Sequence, residues 1–207
     1  MFRLAHNILH LIWPGWTDYD PAKKLEAAVK ETGIAFIHIP KCAGNSVGEY
    51  LYGFGPGHRT WRWFRRLDAH SVAVIRDPVD RFLSACDYLR TPGRDLSNRV
   101  IARLYLRGDI NQIARRLSNP HMRQFFHFQT QAYYVTDKGK VMVDELVPFE
   151  KLKERFPDLP SSNKTKGART PREALDSRSL EILREVYAED YRLRELALNQ
   201  DADRDAV

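Results

Sequence analysis

Apolar residues follow two periods along this chain. Continuous apolar or β-branched runs at residues 34–39 and 71–75 are short enough to read as buried strands. Elsewhere the apolar positions recur every three or four residues. Leu25, Ala28 and Val29 form such a stripe, opened by Asp20-Pro21 as cap and first-turn proline and closed by Gly33. A helix is expected from the segment after Pro40 through Val47, Tyr50 and Leu51 to Gly53, then a loop at Phe54-Gly-Pro-Gly57. Trp61, Trp63, Phe64 and Leu67 predict a short helix, residues 78–90 a longer one, and residues 95–117 an arginine-rich helical stretch. Residues 119–131 are irregular and aromatic. Residues 132–135 and 140–147 read as short strands joined by the turn Asp137-Lys138-Gly139. Residues 149–156 are expected to be helical and residues 157–171 to form a polar, basic loop. Leu180, Ile182, Leu183, Val186, Tyr187, Tyr191 and Leu193 mark a C-terminal amphipathic helix. Strands separated by helices argue for an α/β fold with a mainly parallel sheet. One domain over residues 1–207 is expected, with residues 1–19 an extension anchored by Trp13 and Trp16.

Composition narrows the function classes. The chain has 207 residues, 43% hydrophobic and 29% charged, an ordinary globular balance with enough length for a sizeable core. Its formal net charge of +6 suits an anionic ligand. Two cysteines, Cys42 and Cys86, do not make a disulfide framework, and the seven histidines show no metal-ligand spacing. No run is long enough to span a membrane, and the apolar stretch at residues 7–13 lacks a cleavage site. The basic balance also fits nucleic acid and does not discriminate by itself, though a soluble, cytoplasmic, bacterial enzyme with no nucleic-acid partner is the expected setting.

The chemistry is concentrated after the two strands. Ile34-Ala-Phe-Ile-His-Ile-Pro-Lys-Cys-Ala-Gly-Asn-Ser-Val47 is a strand, a small-residue loop with a lysine, and a helix start. Backbone N–H groups at such a helix start, with its dipole, favour a phosphate, and Lys41 adds a point charge. The order is not that of a Walker A loop, because the lysine precedes the only glycine. In the second segment, Arg76-Asp-Pro-Val-Asp-Arg-Phe-Leu-Ser84 follows a strand. There Arg76 can present a planar fork to a phosphate, and Pro78 suits a first helical turn. Helical period puts Ser84 on the same side as Arg81.

The first segment resembles the 5′-phosphosulfate loop of the sulfotransferases, F-I-H-I-P-K-T-A-G-T-S, with Cys42 and Asn45 at its threonine positions and Ser46 retained. The second resembles their 3′-phosphate motif, V-x-R-D-P-x-x-R-x-x-S. Weaker likenesses at Gln129-Thr-Gln131, Leu146 to Glu150, Asn163-Lys-Thr165 and Val186 to Tyr191 extend the resemblance over residues 34 to 193. It is nearest to the carbohydrate-modifying enzymes, including the heparan sulfate 2-O type. The resemblance implies a P-loop-like three-layer fold, its central sheet flanked by helices. It also implies transfer of a sulfuryl group from 3′-phosphoadenosine 5′-phosphosulfate (PAPS) to a hydroxyl of a carbohydrate or glycoconjugate acceptor, anionic ones included, without a metal.

On that resemblance, Lys41 offsets charge on the leaving phosphate. Cys42, Ala43, Gly44, Asn45 and Ser46 hold the 5′-phosphate, and Arg76 and Ser84 hold the 3′-phosphate. Lys164 and Thr165 form a lid over the nucleotide. Two residues compete for the general base. His58 matches the histidine of the 2-O enzymes, and Glu49 has the spacing of the glutamate in the 3-O enzymes. His38 and His70 are expected to be structural, while His121 and His127 are candidates for acceptor contact. Trp61 and Trp63 either stack a sugar or fill the core. A P-loop nucleotide kinase and a non-catalytic nucleotide or polyanion binder are the alternatives.

Overall fold

The computed structural model describes residues 20–91, 96–159 and 169–205. The N-terminal extension and the expected lid residues Lys164 and Thr165 lie outside them. Helix α1 (Pro21–Thr32) starts where Asp20 accepts from the Ala22 N–H and stops at Gly33, whose φ of 67° closes the left-handed cap. It leads into β1 (Ile34–Ile37), two residues shorter than the apolar run. Beyond Ile37 the chain turns through Pro40 into α2 (Gly44–Tyr52). A four-residue α3 (Trp61–Phe64) precedes β2 (His70–Ile75) and α4 (Pro78–Arg90).

The main sheet has three parallel strands in the order β1-β2-β5, with β5 at Glu145–Pro148. Ile34 pairs with His70 at one end of the β1–β2 ladder and Ile37 with Ala73 at the other. Val72 to Ile75 pair with Glu145 to Pro148. Residues 72–75 are buried on both faces, as the centre of a helix-covered parallel sheet requires. Helices α1, α2 and α3 pack at β1, and the long last helix packs along β2 and β5. A second apolar cluster, containing Phe82, Cys86, Ile113, Phe128 and Leu183, is built from helices beside the sheet. No helix among the described residues is long and apolar enough to cross a membrane.

Several expected boundaries move. The arginine-rich stretch divides into α5 (Leu96–Tyr105) and α6 (Ile110–Arg116) around Gly108, whose φ is 88°. Asp109 and Gln112 close a capping box at the second start. A one-turn α7 (Pro120–Arg123) lies within the irregular aromatic segment. Residues 132–135, expected as a strand, lie in the helix α8 (Gln131–Val135). The cause is distant: the Asp190 carboxylate accepts the Gln131 and Ala132 N–H groups at 2.9 and 3.0 Å, and Thr130 caps Tyr133. The expected strand at 140–147 is two pieces. β4 (Lys140–Val141) pairs antiparallel with β3 (Thr136–Asp137) through a Lys138-Gly139 turn with positive φ at both residues, and β5 joins the main sheet. Residues 149–156 form a 3₁₀ turn followed by α9 (Leu152–Arg155). The C-terminal helix breaks at Tyr187 into α10 (Ser177–Val186) and α11 (Ala188–Asp205).

Candidate active site

The turn after β1 is tight. The Cys42 N–H returns to the Ile39 carbonyl at 3.3 Å, and Lys41 and Ala43 adopt φ of 68° and 58°. Left-handed conformations on non-glycine residues cost on the order of 1–2 kcal/mol each. Alternating them with ordinary residues turns successive N–H groups toward one side, making a concavity that suits an anion. The first helical bond of α2 runs from the Val47 N–H to the Ala43 carbonyl at 3.1 Å. The N–H groups of residues 43–46 therefore have no acceptor within the helix. Ala43, at the cap position, has no side chain to supply one. Gly44 is required by packing, since a Cβ there would lie 1.6 Å from Cδ2 of His38. The imidazole covers the helix start.

The turn after β2 is built differently. Asp77 caps α4 with its own carboxylate, accepting from Val79 at 2.9 Å and Asp80 at 3.1 Å. That helix start is already satisfied, so an anion must be met here by side chains. Arg76 leaves the strand end with its guanidinium 4.6 Å above the Phe149 ring and donates from Nη1 to the Lys41 carbonyl at 3.1 Å. Ser84 is two turns further along α4.

These groups line one cleft of about 590 Å³. Lys41, Ala43, Gly44, Asn45 and Ser46 enter it from the first turn, and Arg76 and Ser84 from the second. His58 lines the same space. Lys41, Arg76, Arg169 and Arg172 outweigh Asp80 and Asp87 among the charged lining residues, and Arg172 is spent partly on Asp77 at 3.0 Å. Nζ of Lys41 lies 3.9 Å over the Tyr88 ring, poised at the cleft wall.

His58 has a defined tautomer. Its Nδ1 is 3.2 Å from the His38 carbonyl, which can only accept, so the proton sits on Nδ1 and Nε2 keeps its lone pair. Phe126 flanks the ring at 5.0 Å. Burial, with Lys41 nearby, holds the His58 pKa below its usual value, against the opposing effect of the His38 carbonyl. His38 itself is pushed down to about 3 by burial, His58 and Lys41, with the Gly57 backbone opposing. Both imidazoles are neutral at pH 7.

Other expected residues are not brought to the cleft. Glu49 is exposed on α2 and absent from the lining, because the cleft faces the end of that helix. Cys42 turns inward, its Sγ 3.3 Å from Oε1 of Gln131, and burial pushes its thiol up to about 11. With its N–H also returned to Ile39, Cys42 offers nothing to a phosphate. Arg81 does not share the Ser84 side; fully buried, it donates to the carbonyls of His127 and Gln129 and lies 3.6 Å from Asp190. His70 bonds Glu145, and Trp61 is core with its indole N–H on the Thr136 carbonyl. Half-buried Trp63 has the guanidinium groups of Arg59 and Arg66 4.7 and 4.9 Å from its ring. His127 lines the cleft and exposed His121 does not.

Sequence reasoning assigned no role to Gln131 or to the Asp87–Thr170 pair. Asp87 accepts from the Thr170 N–H at 3.0 Å and its hydroxyl at 2.6 Å, which pins the segment carrying Arg169 to α4. The likeness at Gln129-Thr-Gln131 was the available signal for the first; nothing local marks the second. No protein-family model, curated protein or solved structure matches this chain.

Proposed function

We propose that this protein is a PAPS-dependent O-sulfotransferase with a P-loop-like three-layer fold, acting on a carbohydrate-type hydroxyl. The observation that carries the reading is the convergence of two unlike anion-binding turns, from neighbouring parallel strands, on one cleft. The first presents unused N–H groups of residues 43–46, Ser46 and Lys41; the second presents Arg76 and Ser84. Two separated anion sites, one of backbone donors and one with a guanidinium fork, suit a nucleotide carrying phosphate at both its 5′ and 3′ positions.

Sulfuryl transfer needs alignment and charge stabilisation more than covalent help. In the proposed reaction the acceptor hydroxyl gives its proton to Nε2 of His58 as its oxygen forms a bond to sulfur. The opposite bond, from sulfur to the 5′-phosphate oxygen, breaks in line. The electron pair leaves with the phosphate, where Lys41 offsets the developing charge. His58 is favoured over Glu49 because it lines the cleft with a free Nε2 lone pair, whereas Glu49 does not. Mass spectrometry of products after offering PAPS with a panel of sugars, glycoconjugates and phenols tests the reading. A mass gain of one sulfuryl group on a sugar hydroxyl is expected; nucleotide turnover only with ATP and magnesium would favour the kinase alternative.

A further inference from the structure

The last ladder pair between β1 and β2 is Ile37 with Ala73, so sheet hydrogen bonding ends before either anion-binding turn begins. Beyond the ladder, the Arg76 side chain reaches the Lys41 carbonyl at 3.1 Å, and a second, deeper tie joins the two turns. Fully buried Gln131 occupies the space between them. Its Oε1 accepts the Arg76 N–H at 2.9 Å and the Cys42 thiol at 3.3 Å, while its Nε2 donates to the Arg76 carbonyl at 2.9 Å. The amide orientation is fixed by these partners, since a backbone N–H requires an acceptor and a carbonyl a donor. The Gln131 backbone is fixed in turn by Asp190, which accepts its N–H at 2.9 Å and lies 3.6 Å from buried Arg81.

We propose that Gln131 is a positioning residue: its side-chain amide latches the two anion-binding turns together and ties them, through Asp190, to the start of α11. The inward turn of Cys42 follows from this role, since its thiol is the donor that engages the β1 turn. The nucleotide part of the proposal rests on the function proposed above; the latch itself does not. Replacing Gln131 by Met keeps its approximate volume and removes all three bonds, leaving the Arg76 backbone unsatisfied.

Hydrogen exchange on the full chain tests the latch without any ligand. In Gln131→Met, the hydrogen-bonded amides of Cys42 and Val47 in the first turn and of Arg76, Val79 and Asp80 in the second are expected to exchange at least about tenfold faster, with those of α10 unchanged. Cys42→Ala, which keeps the Arg76 bonds, is expected to accelerate the amides of residues 42 and 47 alone, and supplies the test if Gln131→Met does not fold. Unchanged exchange in the turns, or uniform acceleration across the chain, overturns the proposal. Titration with 3′-phosphoadenosine 5′-phosphate then reads the consequence, an expected rise in Kd of about tenfold or more in Gln131→Met. If the wild-type chain does not bind this nucleotide, the functional reading fails while the exchange result still decides the latch. If it binds and Gln131→Met binds equally well, Gln131 does not position the site.

Discussion

Lys41 and His58 face one cleft, and the proposed reaction gives them different tasks, so their variants should separate. In the proposed reaction Lys41 acts on charge that grows in the transition state, so Lys41→Ala should lower kcat more than it weakens nucleotide binding. Paired turnover and binding measurements check this; weaker binding at unchanged kcat would reduce Lys41 to a clamp on the ground state. His58→Ala should cost on the order of 10²–10⁴ in turnover with nucleotide affinity intact. Glu49→Gln, on the exposed flank of α2, should stay near wild type. Because the His58 pKa is lowered, kcat/KM should fall only as pH drops below about 6.5 and stay level above it. An acid limb centred above that value, or retained activity in His58→Ala, would remove the histidine as base. Arg76→Ala should weaken nucleotide binding more than Ser84→Ala, since a charged fork contributes more than a hydroxyl.

At the scale of elements, the contrast between two helix starts explains the division of labour. α4 carries its own cap in Asp77; α2 has an alanine, Ala43, at its cap position and leaves its N–H groups toward the cleft. Gly44→Ala drives a methyl into the His38 ring, and should cost roughly 1–3 kcal/mol in urea unfolding as well as weaken nucleotide binding. A fully stable, fully binding variant would mean that the ring is not held there. Much of this was legible from local signals. Asp20-Pro21, Pro78 and Gly33 each marked a boundary with chemistry of its own, and the two strand–turn–helix motifs were readable from residue order alone. What could not be read was long-range. The cap on α8 comes from Asp190, far along the chain, so residues 132–135, with a strand-like composition, became part of a helix. Residues 140–147 looked continuous because the change of partner between β4 and β5 leaves no local trace. The burial of Arg81 and exposure of Glu49 depend on which way α4 and α2 roll in the assembled molecule, which helical period alone does not determine.

For the whole molecule, buried His38 makes stability depend on pH. Its folded pKa, about 3, lies below the unfolded value of 6.5, so the unfolded chain binds the extra proton between those values. Stability should be level above pH 6.5 and fall as pH drops below it. At 1.36 kcal/mol per unit the loss is roughly 2 kcal/mol by pH 5 and at most about 5 kcal/mol by pH 3. Urea midpoints at pH 7 and 5 check this, and His38→Gln should lose most of the difference; an equal drop in that variant would assign it to other groups. The central claim, however, is that two anion-binding turns make one nucleotide site, and calorimetric titration with 3′-phosphoadenosine 5′-phosphate in the absence of magnesium tests it most directly. One site per chain is predicted, much weakened in Arg76→Ala and not reproduced by adenosine; no binding, or equal binding of ATP with magnesium, would contradict it.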